Sequence, residues 1–251
     1  PGHFAATPGL SKCERCSAGF YQKASGAAEC LRCKPGSLCP LGASLELPAA
    51  CEPGTYADVT DSDGLPDCFD CPAGSSCPGG AARPTQCAVG TIAPTERMEA
   101  CDKCAGGTYQ NDTSATSCRA CEAGSYCAKG ASAPLPCEAG SFSTATDLTA
   151  ASQCTDASPG YFATTGSTQQ TACAKGSYTD AYGQGECTPC SGGTYQDAEA
   201  QTACEPCEAG SYCAVGAAAP LPCEKGSYSR ATNLAAAGEC TACPAGSACS
   251  T

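Results

Sequence analysis

The chain has 251 residues, of which 27 are cysteine, with 25 acidic against 13 basic side chains and a net charge of −12. Valine, isoleucine, leucine and phenylalanine together number about 20, near 8% of the chain, which excludes a single globular domain built round an apolar core. The acidic balance argues against nucleic acid and anionic membrane surfaces as partners, and no window approaches the roughly 18 consecutive apolar residues of a bilayer span.

Cysteine at this density marks either a disulfide scaffold outside the reducing cytosol or a metal-binding protein. The chain opens at Pro1 with neither methionine nor an apolar leader, so any signal peptide is expected outside this sequence.

Taken in chain order, the cysteines bracket themselves. Residues 1–13, PGHFAATPGLSKC, read as the end of a module whose first cysteine would precede Pro1, leaving Cys13 unpaired here. A motif of C-x2-G-x-aromatic, loop and closing cysteine follows as Cys16–Cys30 and Cys51–Cys68, with a short C-x5-C link, Cys33–Cys39, between them and another, Cys71–Cys77, after. Cys87–Cys101 repeats the motif with Ile92 in the aromatic place, then Cys104–Cys118, the short Cys121–Cys127 and the longer Cys137–Cys154. The last run is Cys173–Cys187, Cys190–Cys204, the short Cys207–Cys213, Cys223–Cys240 and the short Cys243–Cys249. If every bracket closes locally, all cysteines but Cys13 are used.

A longer period overlies this one. Residues 101–154 and 187–240 align without gaps at an offset of 86, with about 34 of 54 positions identical, and share GGTYQ, CEAGSYCA and APLPCE. The repeat divides the chain into a first unit at 1–100, a second at 101–186 and an incomplete third at 187–251. It also tests one pairing. At the 86-residue offset Cys71 becomes Ala157 and Cys77 becomes Ala163, and both return as Cys243 and Cys249. Joint loss is what a bonded pair predicts, because losing one partner leaves a stray thiol.

The glycine before each aromatic is expected at positive φ in a tight turn, with the aromatic lying against a disulfide. About eleven of the fifteen aromatics occupy that place and are read as structural. The Ala-rich stretches at 144–152 and 230–238 have room for one helical turn each. A disulfide closing about 15 residues contributes roughly 3 kcal/mol in the chain-entropy model, so covalent links replace the missing core. The fold class expected is small and disulfide-rich: an elongated rod of tandem modules with short β-hairpins and turns, little helix and no conventional hydrophobic core. Each module should touch mainly its neighbours.

The tandem C-x2-G-[ST]-[YF]-loop-C-x2-C-x2-G pattern resembles the ephrin-receptor-like cysteine-rich repeat, which belongs with the disulfide modules of tumour-necrosis-factor and growth-factor receptors. The resemblance runs from Pro1 to Cys249. It implies extracellular modules with local disulfides that serve as spacers, ligand-binding ectodomains or surface structure, and it carries no catalytic residues. The pattern departs at 155–172, where one link is absent and a flexible or contact point is expected.

Zinc is the competing chemistry. Cys13/Cys16/Cys30/Cys33, Cys101/Cys104/Cys118/Cys121 and Cys187/Cys190/Cys204/Cys207 each have zinc-ribbon spacing. The C-x5-C cysteines would then go unused and the tiling into pairs would be coincidence, so disulfides are favoured and no metal or other cofactor is expected. His3 has no arrangement suited to nucleophilic catalysis. Asp58, Asp61, Asp63 and Asp67 hint at calcium, but the equivalent loops lack them and a solvated acidic turn is the simpler reading. Asn111-Asp112-Thr113 is a sequon, which makes Asn111 the glycosylation candidate.

These features point to a non-enzymatic extracellular protein, secreted or at the cell surface: a segment of a disulfide-laddered, glycosylated rod or surface fibre. The expected partners are copies of itself, further repeats of a longer chain and covalent glycans. The alternative is the ligand-binding ectodomain of a receptor-like surface protein.

Overall fold

The computed structural model describes residues 1–34, 37–48, 51–58 and 67–249. Among them the chain folds into fourteen two-stranded antiparallel sheets, each joining strands adjacent in sequence. Most strands are two residues long, as in Phe20–Tyr21 with Leu31–Arg32 and Tyr161–Phe162 with Thr171–Ala172. The longest pair is Thr55–Asp58 with Asp67–Asp70, where the Tyr56 and Phe69 rings sit 5.8 Å apart. Hydroxyl and aromatic residues suit the strands, while glycine and proline at both ends keep them short. Helix is confined to two 3-10 turns, Ala151–Gln153 and Ala237–Glu239, at the ends of the two Ala-rich stretches. The Gln153 side chain holds the first, its Oε1 accepting from the Thr149 and Ala150 amides at 2.6 and 3.1 Å. The chain is a disulfide-rich, small-module fold.

Two-stranded hairpins are marginal alone in water, and here each is bound to others by a repeating set of backbone hydrogen bonds. Inside a module, the amide of the next module's opening cysteine donates to the carbonyl of the positive-φ glycine, as from Cys71 to Gly54 at 2.9 Å. That glycine's own amide donates to the following module, as from Gly54 to the Cys77 carbonyl at 2.8 Å. A third bond returns from the following module: the Arg97 amide donates to the Cys71 carbonyl at 2.8 Å, and that of Ser114 to Cys87 at 2.9 Å. These bonds join adjacent modules, the nearest-neighbour contact expected from the sequence. A lone hairpin has two open edges whose polar groups need partners, and one neighbour cannot satisfy both.

A steric approach to the module after next explains the glycines. Gly54 has φ +86°, and a Cβ built on it would collide with the Arg97 carbonyl oxygen. Only glycine meets both demands, for φ and for space.

The chain divides into two compact units, Pro1–Arg119 with Lys129–Ala133, and Ala120–Ala128 with Pro134–Thr251. In the first, the buried row consists of cysteines such as Cys16, Cys71 and Cys87 together with Ala57 and Ala93. In the second it consists of Cys121, Cys137, Cys173 and Cys207 together with Ala157 and Ala163. Leu148 and Leu234 are the buried aliphatic side chains larger than alanine among the described residues. Sulfur supplies most of the buried apolar surface in both units, as free-standing hydrophobes would in a conventional core.

Candidate functional site

Thirteen disulfides bring together Cys16–Cys30, Cys33–Cys39, Cys51–Cys68, Cys71–Cys77, Cys87–Cys101, Cys104–Cys118 and Cys121–Cys127 in one run. Cys137–Cys154, Cys173–Cys187, Cys190–Cys204, Cys207–Cys213, Cys223–Cys240 and Cys243–Cys249 complete the set. Their Cα–Cα distances run from 5.7 Å at Cys173–Cys187 to 6.3 Å at Cys33–Cys39, inside the range a disulfide spans without backbone movement. The four cysteines of each zinc-ribbon spacing do not converge: Cys101 bonds to Cys87, Cys104 to Cys118 and Cys121 to Cys127. Cys13 is a free, exposed thiol.

Among the described residues, no three His, Cys, Asp or Glu side chains gather as a metal site would. Asp61 and Asp63 lie outside the described residues, as do the side chains of Asp58 and Asp67. His3 is exposed, with Nδ1 3.1 Å from the Pro1 carbonyl oxygen. No helix among the described residues is long and apolar enough to cross a membrane.

The sequon sits on a loop with a built frame. Gln110 is buried; its Nε2 donates to the Ser117 carbonyl at 2.7 Å and its Oε1 accepts the Asp112 amide at 2.9 Å. The Asp112 carboxylate pairs with Arg119 at 2.8 Å, and Asn111 on this frame is exposed. Gln22 and Gln196 make the same two bonds in their copies, to Glu29 and Ala24 and to Ala203 and Ala198. Lys23 and Asp197 stand there in place of Asn111. These glutamines were not singled out by sequence reasoning, though the repeated GGTYQ carried the signal: a polar residue kept where the alternation points inward.

Two further surface features distinguish copies. Leu41, Leu45 and Leu47 are 64%, 54% and 42% exposed and line a shallow groove beside Pro40. The equivalent positions hold Lys129, Ala133 and Leu135 in the second copy and Val215, Ala219 and Leu221 in the third. Tyr195 Oη donates to Glu205 Oε2 at 3.2 Å, and that hydrogen bond holds the phenol's pKa above its ordinary value, because ionisation would set two anions side by side.

The module at 155–172 is the one described hairpin between Cys16 and Cys249 whose span contains no disulfide. Ala157 and Ala163 occupy the places of Cys71 and Cys77 and are 0% and 1% exposed. Polar side chains make bonds there that the 71–86 module lacks. The buried Thr179, standing where Ala93 stands 86 residues earlier, accepts the Gly160 amide on Oγ1 at 2.8 Å and donates to the Tyr161 carbonyl at 3.1 Å. The Ser158 amide donates to Gln170 Oε1 at 2.8 Å, whereas prolines, Pro72 and Pro84, hold both equivalent positions.

The family model described as tyrosine-protein kinase ephrin type A/B receptor-like matches residues 2–50 and 176–219. No curated protein matches the chain. The two matched segments are corresponding parts of the internal repeat, each running from the end of one long bracket through a whole one into a C-x5-C link. Repeats of this type held by thirteen disulfides mark an extracellular module. Residues 2–50 and 176–219 are thus similar to the ephrin-receptor-like cysteine-rich repeat.

Proposed function

We propose that the chain is a non-catalytic structural segment of an extracellular rod or surface fibre, glycosylated at Asn111 and assembling with further repeats of a longer chain or with copies of itself. The observation that carries this reading is the near-identity of repeats far apart in the chain, about 34 of 54 positions between 101–154 and 187–240. A surface that meets one ligand diversifies the modules in contact with it, whereas repeating lateral or axial contacts keep the same loop faces in every copy. The acidic charge supports the reading too, because a net −12 keeps such surfaces apart from anionic membranes.

One feature favours the competing reading, a ligand-binding ectodomain. Leu41 and Leu45 replace smaller or charged residues of the other copies and enlarge an exposed apolar patch in a single module.

Negative-stain electron microscopy of the native assembly, beside intact mass before and after glycosidase treatment, tests the proposal. Regular polymers built from this chain, with a glycan mass assigned to the Asn111 peptide, are expected. A monodisperse single chain that captures a soluble protein through the 40–47 groove, losing it in L41K/L45A, would replace the structural reading with the receptor one.

A further inference from the structure

From the disulfide-free module we infer a mechanical role for one segment: residues 155–172 are the chain's opening point, a hairpin that unfolds locally and reversibly while the bonded modules on both sides stay closed. Three observations carry it. The first is topological. The 18 residues between Cys154 and Cys173 form the longest run between bonded cysteines, twice the nine residues between Cys77 and Cys87. Every other described hairpin from Cys16 onward is bypassed or shortened by its own bridge, so tension cannot draw it out fully without reduction.

The second is the native geometry, which is complete. The 157–173 module keeps the same backbone hydrogen bonds as 71–87: the Gly160 amide to the Thr179 carbonyl at 2.8 Å corresponds to Gly74 to Ala93 at 2.9 Å. Likewise the Gly166 amide to Cys137 at 2.9 Å corresponds to Gly80 to Cys51 at 3.2 Å. The segment is therefore folded at rest and differs in what restrains it when open.

The third is the chemistry that replaces the bridge. Thr179 and Gln170 hold the module through hydrogen bonds, which break and reform without a redox partner. A disulfide constrains mainly the unfolded state, so its absence leaves the closed form intact and lowers the cost of opening. Drawn out, 18 residues release up to ~60 Å of chain. Such yielding under load rests on the structural role proposed above, whereas local opening is read on the isolated chain whatever that role, so the two fail separately.

Amide hydrogen exchange on the oxidised full chain tests it. The Gly160 and Gly166 amides should exchange at least about tenfold faster than Gly74 and Gly80, and the double variant A157C/A163C should remove the difference once intact mass shows the new bridge. Equal rates in the unmodified chain would overturn the proposal, as would fast rates that survive the new bridge. Should that variant fail to bridge, C71A/C77A decides: exchange at Gly74 and Gly80 should rise to or beyond the Gly160 rate, and unchanged slow exchange would show that the disulfide does not govern opening.

Discussion

Residues 71–87 and 157–173 are the same module twice, 86 positions apart, once with a disulfide and once without. Their backbone hydrogen bonds correspond one for one, from the Cys71 and Ala157 amides, donating to Gly54 and Gly140, to those of Cys87 and Cys173, donating to Gly74 and Gly160. The two sites also exclude water equally, since Cys71, Cys77 and Ala157 are 0% exposed and Ala163 is 1% exposed. What holds the hairpin's shape is thus the glycine turn and the stacking of modules on either side. The short disulfide adds no native contact that two alanines leave unmade at the level of the backbone. Its contribution lies in the open chain it forbids, and the module that lacks it has acquired side-chain bonds that act in the folded state instead.

The strongest way to break the comparison is to make the first module resemble the second. C71A/C77A removes a bridge across a sequence separation of 6 and should lower the local stability of 71–87 by about 2 kcal/mol. The side chains that support 157–173 are absent here, because Ala93 and Pro84 stand in place of Thr179 and Gln170. Local opening energies from hydrogen exchange, measured in both modules of one molecule, check it. A loss below about 0.5 kcal/mol would mean that stacking alone decides stability, and a cooperative loss of structure in every module would contradict independent modules.

T179V is smaller and acts on the other member. It keeps the shape of a 2% exposed side chain and deletes the hydroxyl that bridges the Gly160 amide and the Tyr161 carbonyl. A buried hydrogen bond of this type contributes about 1 kcal/mol, so Gly160 should exchange roughly fivefold faster. A93T gives the mirror test, since a hydroxyl added to the bridged module should slow Gly74 exchange only when Cys71 and Cys77 are also replaced. A T179V chain with unaltered Gly160 exchange would leave the backbone bond to the Thr179 carbonyl as the sole support at that point.

Much of this was legible beforehand because the sequence repeats itself. The glycine of each C-x2-G-x-aromatic motif takes positive φ, +84° at Gly19 and +83° at Gly176, and the hairpins and near absence of helix follow from two-residue strands between turn residues. Less legible were the elements whose partners lie 26 or 27 residues away. Arg97, Ser114, Asp147, Ala200 and Asn233 adopt positive φ without being glycine. Their amides reach the opening residue of the preceding module, as from Ala200 to Cys173 at 2.9 Å, and no local signal announces such a contact. The inward glutamines were hidden for another reason. Composition counts Gln22, Gln110 and Gln196 as surface residues, whereas each is about 5% exposed because it closes its own loop through backbone atoms. Thr179 was harder still, since its hydroxyl matters only beside a module that has lost its bridge.

The smallest expected effect separates copies that share both backbone and disulfides. Tyr195 and Tyr109 occupy equivalent positions, but Glu205 faces the first where Arg119 stands in the second, and Arg119 is taken up by Asp112. The Tyr195 phenol donates to Glu205 and so keeps its proton to higher pH than a free tyrosine. With the folded-state pKa raised, the neutral phenol's contribution is complete below the unfolded pKa and disappears as pH climbs through the folded one. The group is open to solvent, so the effect on stability is slight and the sensitive readout is the titration itself. Ultraviolet difference titration of the ten tyrosines should show Y195F losing a component from the alkaline end of the curve. E205Q should move the Tyr195 component to lower pH, because a neutral amide still accepts the hydrogen bond but no longer opposes the phenolate. If Y195F removes nothing from the alkaline end of the curve, the contact between Tyr195 and Glu205 does not persist in solution, and these two copies differ in surface charge alone.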